Sequence, residues 1–477
     1  MSDSRNYSLS KLTKIQYKVA RQSKTILFLF SALTAISLTL FLRDSSFTDS
    51  QDYVLFLLFF AVGLWITEAI PPFAVGILIV GFLVFTIGRE NTMDAKIYVQ
   101  TWSDGVIWLF LGGFFLAEGM KKTQLDLKLL QFTAPRFGNQ ARYITLGLML
   151  TTAATSMLMS NTATTAMMLA TVAPIFLQLG KDNTVSKVLL LGIPAAASIG
   201  GMGTIIGSAP NAIAVGALET IGIKVSFIEW MIVGMPVALL LTVLFWKVLL
   251  IKYKIKGEML SLDFIQTQDI QAEFTSEDRI RKRIVIIVLA ITLLLWLTSQ
   301  WTNIPVAAVS GIPIVALTML GIIDADDVRT LPWDTLMLVA GGLSLGLAIQ
   351  EQGIATYFVD QISTVDLNVY LLLFVFAFLS VLLSNFMSNT AAASILIPVA
   401  ISLLSVSQGI SPTLLPIVIG LSASCALLLP VSTPPNAIAY STGMIQQSEF
   451  RLGGVFVGLL GPILIIFWTL LITFFSK

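Results

Sequence analysis

Apolar runs long enough to cross a bilayer recur along the whole chain, near residues 25 to 42, 53 to 70, 73 to 88, 105 to 119, 187 to 220, 230 to 251, 284 to 300, 304 to 323, 335 to 350, 413 to 445 and 453 to 475. Within hydrocarbon a segment must satisfy its own backbone polar groups, so these runs predict α-helices and eleven crossings. Composition agrees, with 56% of the 477 residues hydrophobic and only 12% charged. The expected fold class is an all-α polytopic membrane protein. Two further apolar stretches, 143 to 180 and 368 to 405, are each divided by the tripeptide Ser-Asn-Thr. Each half is barely long enough to span, which predicts two re-entrant hairpins with both ends on one face.

The same composition narrows the function. A formal net charge of +1 and the absence of a basic, aromatic-interleaved surface argue against nucleic acid as a partner. The single cysteine, Cys425, permits no intrachain disulfide and reads as a small core residue. Histidine is absent, which removes the commonest proton shuttle, and the spans hold neither paired carboxylates nor a nucleophile with its base. An enzyme is therefore not expected, and no organic cofactor is implied. Glu68 and Glu118 read as boundary residues, and "KKTQLDLKLLQF" from 121 reads as an interfacial helix.

Lysine and arginine bias orients the chain. The basic tail 1–24 places the N-terminus in the cytoplasm, with residues 25 to 42 as a retained first span rather than a signal peptide. After four crossings the chain reads Lys121, Lys122, Lys128, Arg136 and Arg142, and the linker 252–283 carries seven Lys and Arg. Both are expected inside. The stretch from Glu351 to Asn368, expected outside, has three acids and no base. An odd number of crossings leaves the C-terminus outside.

Three motifs recur in the same order. "IWLFLGG" at 107 matches "LMLVAGG" at 336, "MSNTA" occurs at 159 and again at 387, and "GSAPNAIA" at 207 matches "STPPNAIA" at 432. Five crossings and a hairpin separate equivalent points, so the halves form an inverted repeat. The expected organisation is a first unit over 25–251 with its hairpin at 143–180, the linker, and a second unit over 284–477 with its hairpin at 368–405. Inverted repeats with broken helices are the architecture of secondary transporters, and hairpins meeting at an occluded midplane favour alternating access over an open channel.

Ser, Asn and Thr are preferred N-cap residues, so each tip could simply cap the returning half-helix. One such residue suffices for that, and here three stand together twice. In "GSAPNAIA" and "STPPNAIA" a proline interrupts an apolar segment where no N–H is needed, which predicts broken helices. Irregular backbone at that depth must be buried in protein or line a cavity. Four half-helix N-termini would then meet, each with free N–H donors and partial positive charge, a site for an anion without a buried lysine. A ligand with two carboxylates suits it, one per repeat, while carbonyls and hydroxyls nearby suit a small hard cation such as sodium.

With these motifs in hand the chain resembles the divalent anion/sodium symporter family of di- and tricarboxylate transporters, over nearly its whole length. The resemblance implies eleven helices, two hairpins, a homodimer with a static scaffold, and an elevator-type transport domain in the plasma membrane. It implies substrates among succinate, malate, fumarate, 2-oxoglutarate, citrate and sulfate. Carried over by motif, Ser160, Asn161, Thr162, Ser208, Ser388, Asn389, Thr390, Thr433 and Pro434 would hold the substrate. One sodium site would use Ser156, Asn161 and Gly207, and the other Ser384, Asn389 and Ser432. Many symporters of the family keep Thr-Glu where this chain has Ser384 and Asn385. That neutral residue tilts the expectation towards dicarboxylate exchange, with sodium-coupled symport as the alternative.

Overall fold

The computed structural model describes residues 2–89, 92–180, 182–255, 258–260, 276–354, 357, 368–404 and 411–475. Most of the expected linker 252–283, most of the acidic stretch from Glu351, the side chains of the basic tail as far as Arg21, and the last residue of the 368–405 hairpin lie outside the described residues.

Among the described residues the secondary structure is helical, apart from one isolated bridge between Gln140 and Met259. The first half contains α1 (Ser2–Leu42), α2 (Asp49–Thr67), α3 (Pro72–Thr86), α4 (Gly105–Lys122), α5 (Leu125–Thr133), α6 (Ala141–Ser156), α7 (Asn161–Thr171), α8 (Ala173–Leu179), α9 (Thr184–Gly200), α10 (Ala209–Thr220) and α11 (Phe227–Tyr253). The second contains α12 (Ser276–Leu297), α13 (Val306–Met319), α14 (Trp333–Glu351), α15 (Val369–Phe386), α16 (Asn389–Leu404), α17 (Leu414–Ala423), α18 (Pro434–Ser441) and α19 (Phe450–Phe475).

Local chemistry sets many of these boundaries. Capping boxes start α2 at Thr48 with Gln51 and α11 at Ser226 with Glu229, each pairing side chain and backbone reciprocally. Glu68 takes a left-handed φ of 48° and ends α2 just ahead of Pro71 and Pro72, the second of which opens α3 without needing its N–H. Pro174 acts in the same way inside the first hairpin. The returning limb bends by 46° between α7 and α8, so it is a broken limb rather than one helix.

Eight helices among the described residues are long and apolar enough to cross a bilayer, which makes this a multi-pass membrane protein. One of them, α15, is a hairpin limb. Against the eleven expected crossings, α3 and α13 are short at 15 and 14 residues, α12 begins with a charged turn, and the run from 413 to 445 is split into α17 and α18. Proline breaks and charged ends shorten these helices below what the apolar runs alone suggest.

The two halves pack by exchange. Helix α4 lies along α13 of the other half, and its counterpart α14 lies along α3. Both crossings need small residues: a Cβ on Gly112 would sit 2.8 Å from that of Ser310, and one on Gly341 only 2.2 Å from Gly76 Cα. Likewise α10 packs on α16 and α17, while α18 packs on α7 and α9. Each post-break helix therefore leans on the other half's hairpin.

Polar contacts between helix ends fix which ends share a face. Lys122, last in α4, pairs with Asp327 and, at 3.4 Å, with Asp324, just ahead of α14. The end of α4 thus meets the start of its equivalent helix, so the two run oppositely, as an inverted repeat requires. Glu449 before α19 bonds Lys187 at the start of α9 (3.0 Å) and Tyr253 at the end of α11 (3.3 Å). Elsewhere Gln51 of α2 donates to the Gln352 carbonyl after α14 at 2.9 Å.

Candidate substrate and cation site

The polypeptide builds this site from four helix starts. At the first tip Ser160 caps α7, its Oγ accepting from Ala163 N–H at 3.2 Å; at the second, Ser388 Oγ accepts from Ala391 N–H at 3.1 Å. Thr433 caps α18 through Asn436 N–H at 3.3 Å, and Ser208 stands at the start of α10 with no side-chain cap bond. Capping is thus real, yet it uses one residue of each Ser-Asn-Thr. A hydroxyl that caps by accepting still has its own hydrogen to donate.

These four residues border a single cavity of about 420 Å³. All nine sequence-assigned substrate residues line it: Ser160, Asn161, Thr162, Ser208, Ser388, Asn389, Thr390, Thr433 and Pro434. The lining also includes Phe110, Gly113, Phe114 and Ala117 of α4 and Pro332, Asp334 and Thr335 from the start of α14. Among the described residues no lysine or arginine lines it. The positive potential comes from backbone N–H groups at four converging helix N-termini.

The broken segments are held open by asparagines that sequence reasoning did not assign to the site. Asn211 Nδ2 donates to the Gly201 and Thr204 carbonyls, both at 2.8 Å, and Asn436 Nδ2 donates to those of Leu427 and Leu429 at 3.4 and 3.2 Å. Each ties its loop back onto the helix that follows. Ser198 was also missed; it lines the cavity and its buried Oγ has no partner among the described residues. The only sequence signal for Ser198 is a lone hydroxyl among small apolar residues.

Of the residues assigned to cations, Asn161, Gly207, Asn389 and Ser432 line the cavity, whereas Ser156 and Ser384 lie behind the tips, fully buried. At the first tip one end of the Asn161 amide faces Ser156 Oγ and the carbonyl oxygens of Ala197 and Gly207, the latter two at 3.1 and 3.2 Å. With nitrogen at that end the amide donates to both carbonyls. With oxygen there, four oxygens converge, and that set suits a small hard cation. Behind the second tip Ser384 Oγ and Asn389 Oδ1 are buried without partners among the described residues. Asn385, in contrast, is engaged at both ends of its amide. Its Oδ1 accepts from Leu428 N–H at 2.9 Å and Ser432 Oγ at 3.0 Å, while its Nδ2 donates to the Val381 carbonyl at 2.8 Å.

Comparison with known proteins places this geometry. The family described as the sodium:sulfate symporter transmembrane region matches residues 23–475. The sodium-dependent dicarboxylate transporter SdcS of Staphylococcus saprophyticus is 30% identical over 473 residues, covering 92% of this chain and 89% of that protein. An uncharacterized transporter of Haemophilus influenzae is 34% identical over 440 residues, covering 88% and 91%. Among solved structures, Neisseria gonorrhoeae MtrF superposes with a TM-score of 0.57 at 14% identity over 81% of this chain and 85% of its own. Alcanivorax borkumensis YdaH does so with 0.54 at 14% identity over 82% and 90%. At such identity the structural likeness speaks for the fold alone.

Proposed function

The chain belongs to the sodium:sulfate symporter transmembrane family, whose members are transporters and not enzymes, and from that premise we propose that it is a secondary transporter of C4 and C5 dicarboxylates with sodium as its coupling ion. Succinate, malate, fumarate and 2-oxoglutarate are the substrates in view. The observation that carries this reading is the convergence of four helix starts on one cavity lined by no basic side chain. Each start contributes about half a positive charge, so four supply about two, which matches a dicarboxylate. Sulfate carries the same charge, but lining hydroxyls and amides divided between two tips suit two separated carboxylates better than one compact anion. The SdcS relatives support the same substrate class.

Transport then alternates the cavity between the two sides of the plasma membrane. In this structure α16 packs along α14, whereas its counterpart α7 stands off α4 with the cavity between them. Exchanging those two arrangements would open the opposite side, by an elevator-like movement of the hairpins and broken helices against α4 and α14. The lysine and arginine bias puts the N-terminus and the present opening in the cytoplasm and the C-terminus outside.

The sodium-dependent relatives support symport, and the Ala197 and Gly207 carbonyls with Ser156 Oγ beside the Asn161 amide are oxygens a cation could use. Exchange of one dicarboxylate for another is the second reading, favoured by Asn385, which occupies Ser432 with a neutral hydrogen bond. Purified protein in liposomes separates them. Symport predicts concentrative uptake of labelled succinate into empty vesicles under an inward sodium gradient. Uptake only into vesicles preloaded with dicarboxylate, and unaffected by sodium, would establish exchange instead; no dicarboxylate uptake under either condition would overturn both.

A further inference from the structure

We propose that Asp334 is a charge filter on the substrate cavity, a specificity residue that sets the preference for dianions over more highly charged anions. The inference rests on the dicarboxylate reading above and deepens it. Among the described residues Asp334 is the one charged side chain lining the cavity, which it reaches from the first turn of α14. An acid in an anion cavity opposes the function unless it discriminates.

An acid at a helix start can cap or complement the macrodipole; Asp334, at the second helical position, does not cap. Helix α14 begins at Pro332 with no side-chain cap bond. At the start of the equivalent helix α4, Asp104 does cap, accepting from Val106 N–H at 2.8 Å. Asp334 also has no ion-pair or hydrogen-bond partner among the described residues, and it is exposed. The α4 residues that line the same cavity, Phe110, Phe114 and Ala117, bring no compensating cation. Its charge therefore acts on whatever enters, between low-dielectric walls that focus the field. A dianion spends its two charges on the helix starts at the tips. With the four starts together supplying about two positive charges, a third carboxylate finds no positive charge left to balance it and meets the field of Asp334, so the like-charge penalty falls on the trianion.

The test is competition against labelled succinate uptake in liposomes at pH 8, with unlabelled succinate as the dianion and citrate as the trianion. The readout is the inhibition constant of citrate divided by that of succinate within each variant. The expected result is a ratio that falls about threefold in Asp334→Asn, the size of a like-charge interaction at a solvent-accessible site, and about tenfold in Asp334→Lys, where repulsion becomes attraction. Asp334→Glu keeps the parental ratio. Raising ionic strength with choline chloride at fixed sodium lowers the parental ratio and leaves that of Asp334→Asn nearly unchanged. If the lysine variant fails to insert, Asp334→Ser joins Asp334→Asn in carrying the test. An unchanged ratio in the neutral variants would overturn the filter, leaving Asp334 an ordinary first-turn acid. Absence of succinate uptake by the parent protein would instead overturn the dicarboxylate reading and this inference with it.

Discussion

At each hairpin tip three adjacent polar residues divide their work. The serine closes the helix start, the asparagine turns its amide towards buried oxygens or the cavity, and the threonine lines the cavity wall. Replacing Ser160 or Ser388 by alanine removes a cap, which costs about 1 kcal/mol, together with one hydroxyl donor. We expect a melting temperature in detergent a few degrees lower and uptake weakened rather than abolished. Asn211 and Asn436 have a different role. Their amides brace the broken loops, so Asn211→Ala takes the side-chain donor from two buried carbonyls, leaving that of Thr204, among the described residues, only Gly207 N–H at 3.3 Å, and should cost about 2 kcal/mol, seen as a lowered unfolding midpoint with proportionate loss of active protein. Asn436→Ala, with its longer bonds of 3.2 and 3.4 Å, should cost less. The site was legible as far as the doubled motif went: Ser-Asn-Thr at membrane depth named its lining. The braces were not, because a Pro-Asn pair does not reveal which carbonyls its amide will meet, and Ser198 carries no motif at all.

Helices owe their contacts here to small residues at crossings. Gly341 and Gly76 bring α14 and α3 so close that a Cβ on Gly341 would lie 2.2 Å from the Gly76 backbone. Gly341→Leu should therefore push the two helices apart, and overpacking of this kind costs about 1 to 3 kcal/mol or more. Gly81 on the same α3 has nothing within 4 Å of its Cβ position. Gly81→Leu should leave the melting temperature unchanged, and an equal loss in both variants would show that the crossing is not what matters. The partner of Gly341 was not readable from sequence, since α3 and α14 lie more than two hundred residues apart in sequence. Element lengths also escaped the hydropathy pattern. Apolar runs record what faces lipid or core, while Pro174, Pro210 and Pro434 decide where a helix stops and restarts.

Across the whole molecule, exchange between halves explains why the site exists. Each post-break helix packs on the other half's hairpin, so the four helix starts cannot form one cavity unless both halves fold together. Shared faces follow from the same arrangement. In a background of Cys425→Ser, single cysteines at Asp324 and at Gln51 should react with impermeant reagent from opposite sides of the membrane, because Lys122 pairs with Asp324 on one face while Gln51 bonds Gln352 on the other. Reaction of both from one side would contradict the inverted arrangement. In the proposed reading, hydroxyls, amides and helix starts at two hairpin tips, with no basic side chain among the described lining residues, hold a dicarboxylate. Equilibrium binding of labelled succinate to the purified protein is the decisive measurement. Saturable binding by the parent is expected, lowered at least tenfold in Asn161→Ala and in Asn389→Ala, with both variants still folded by thermal unfolding. Unaltered succinate affinity in both variants would contradict it.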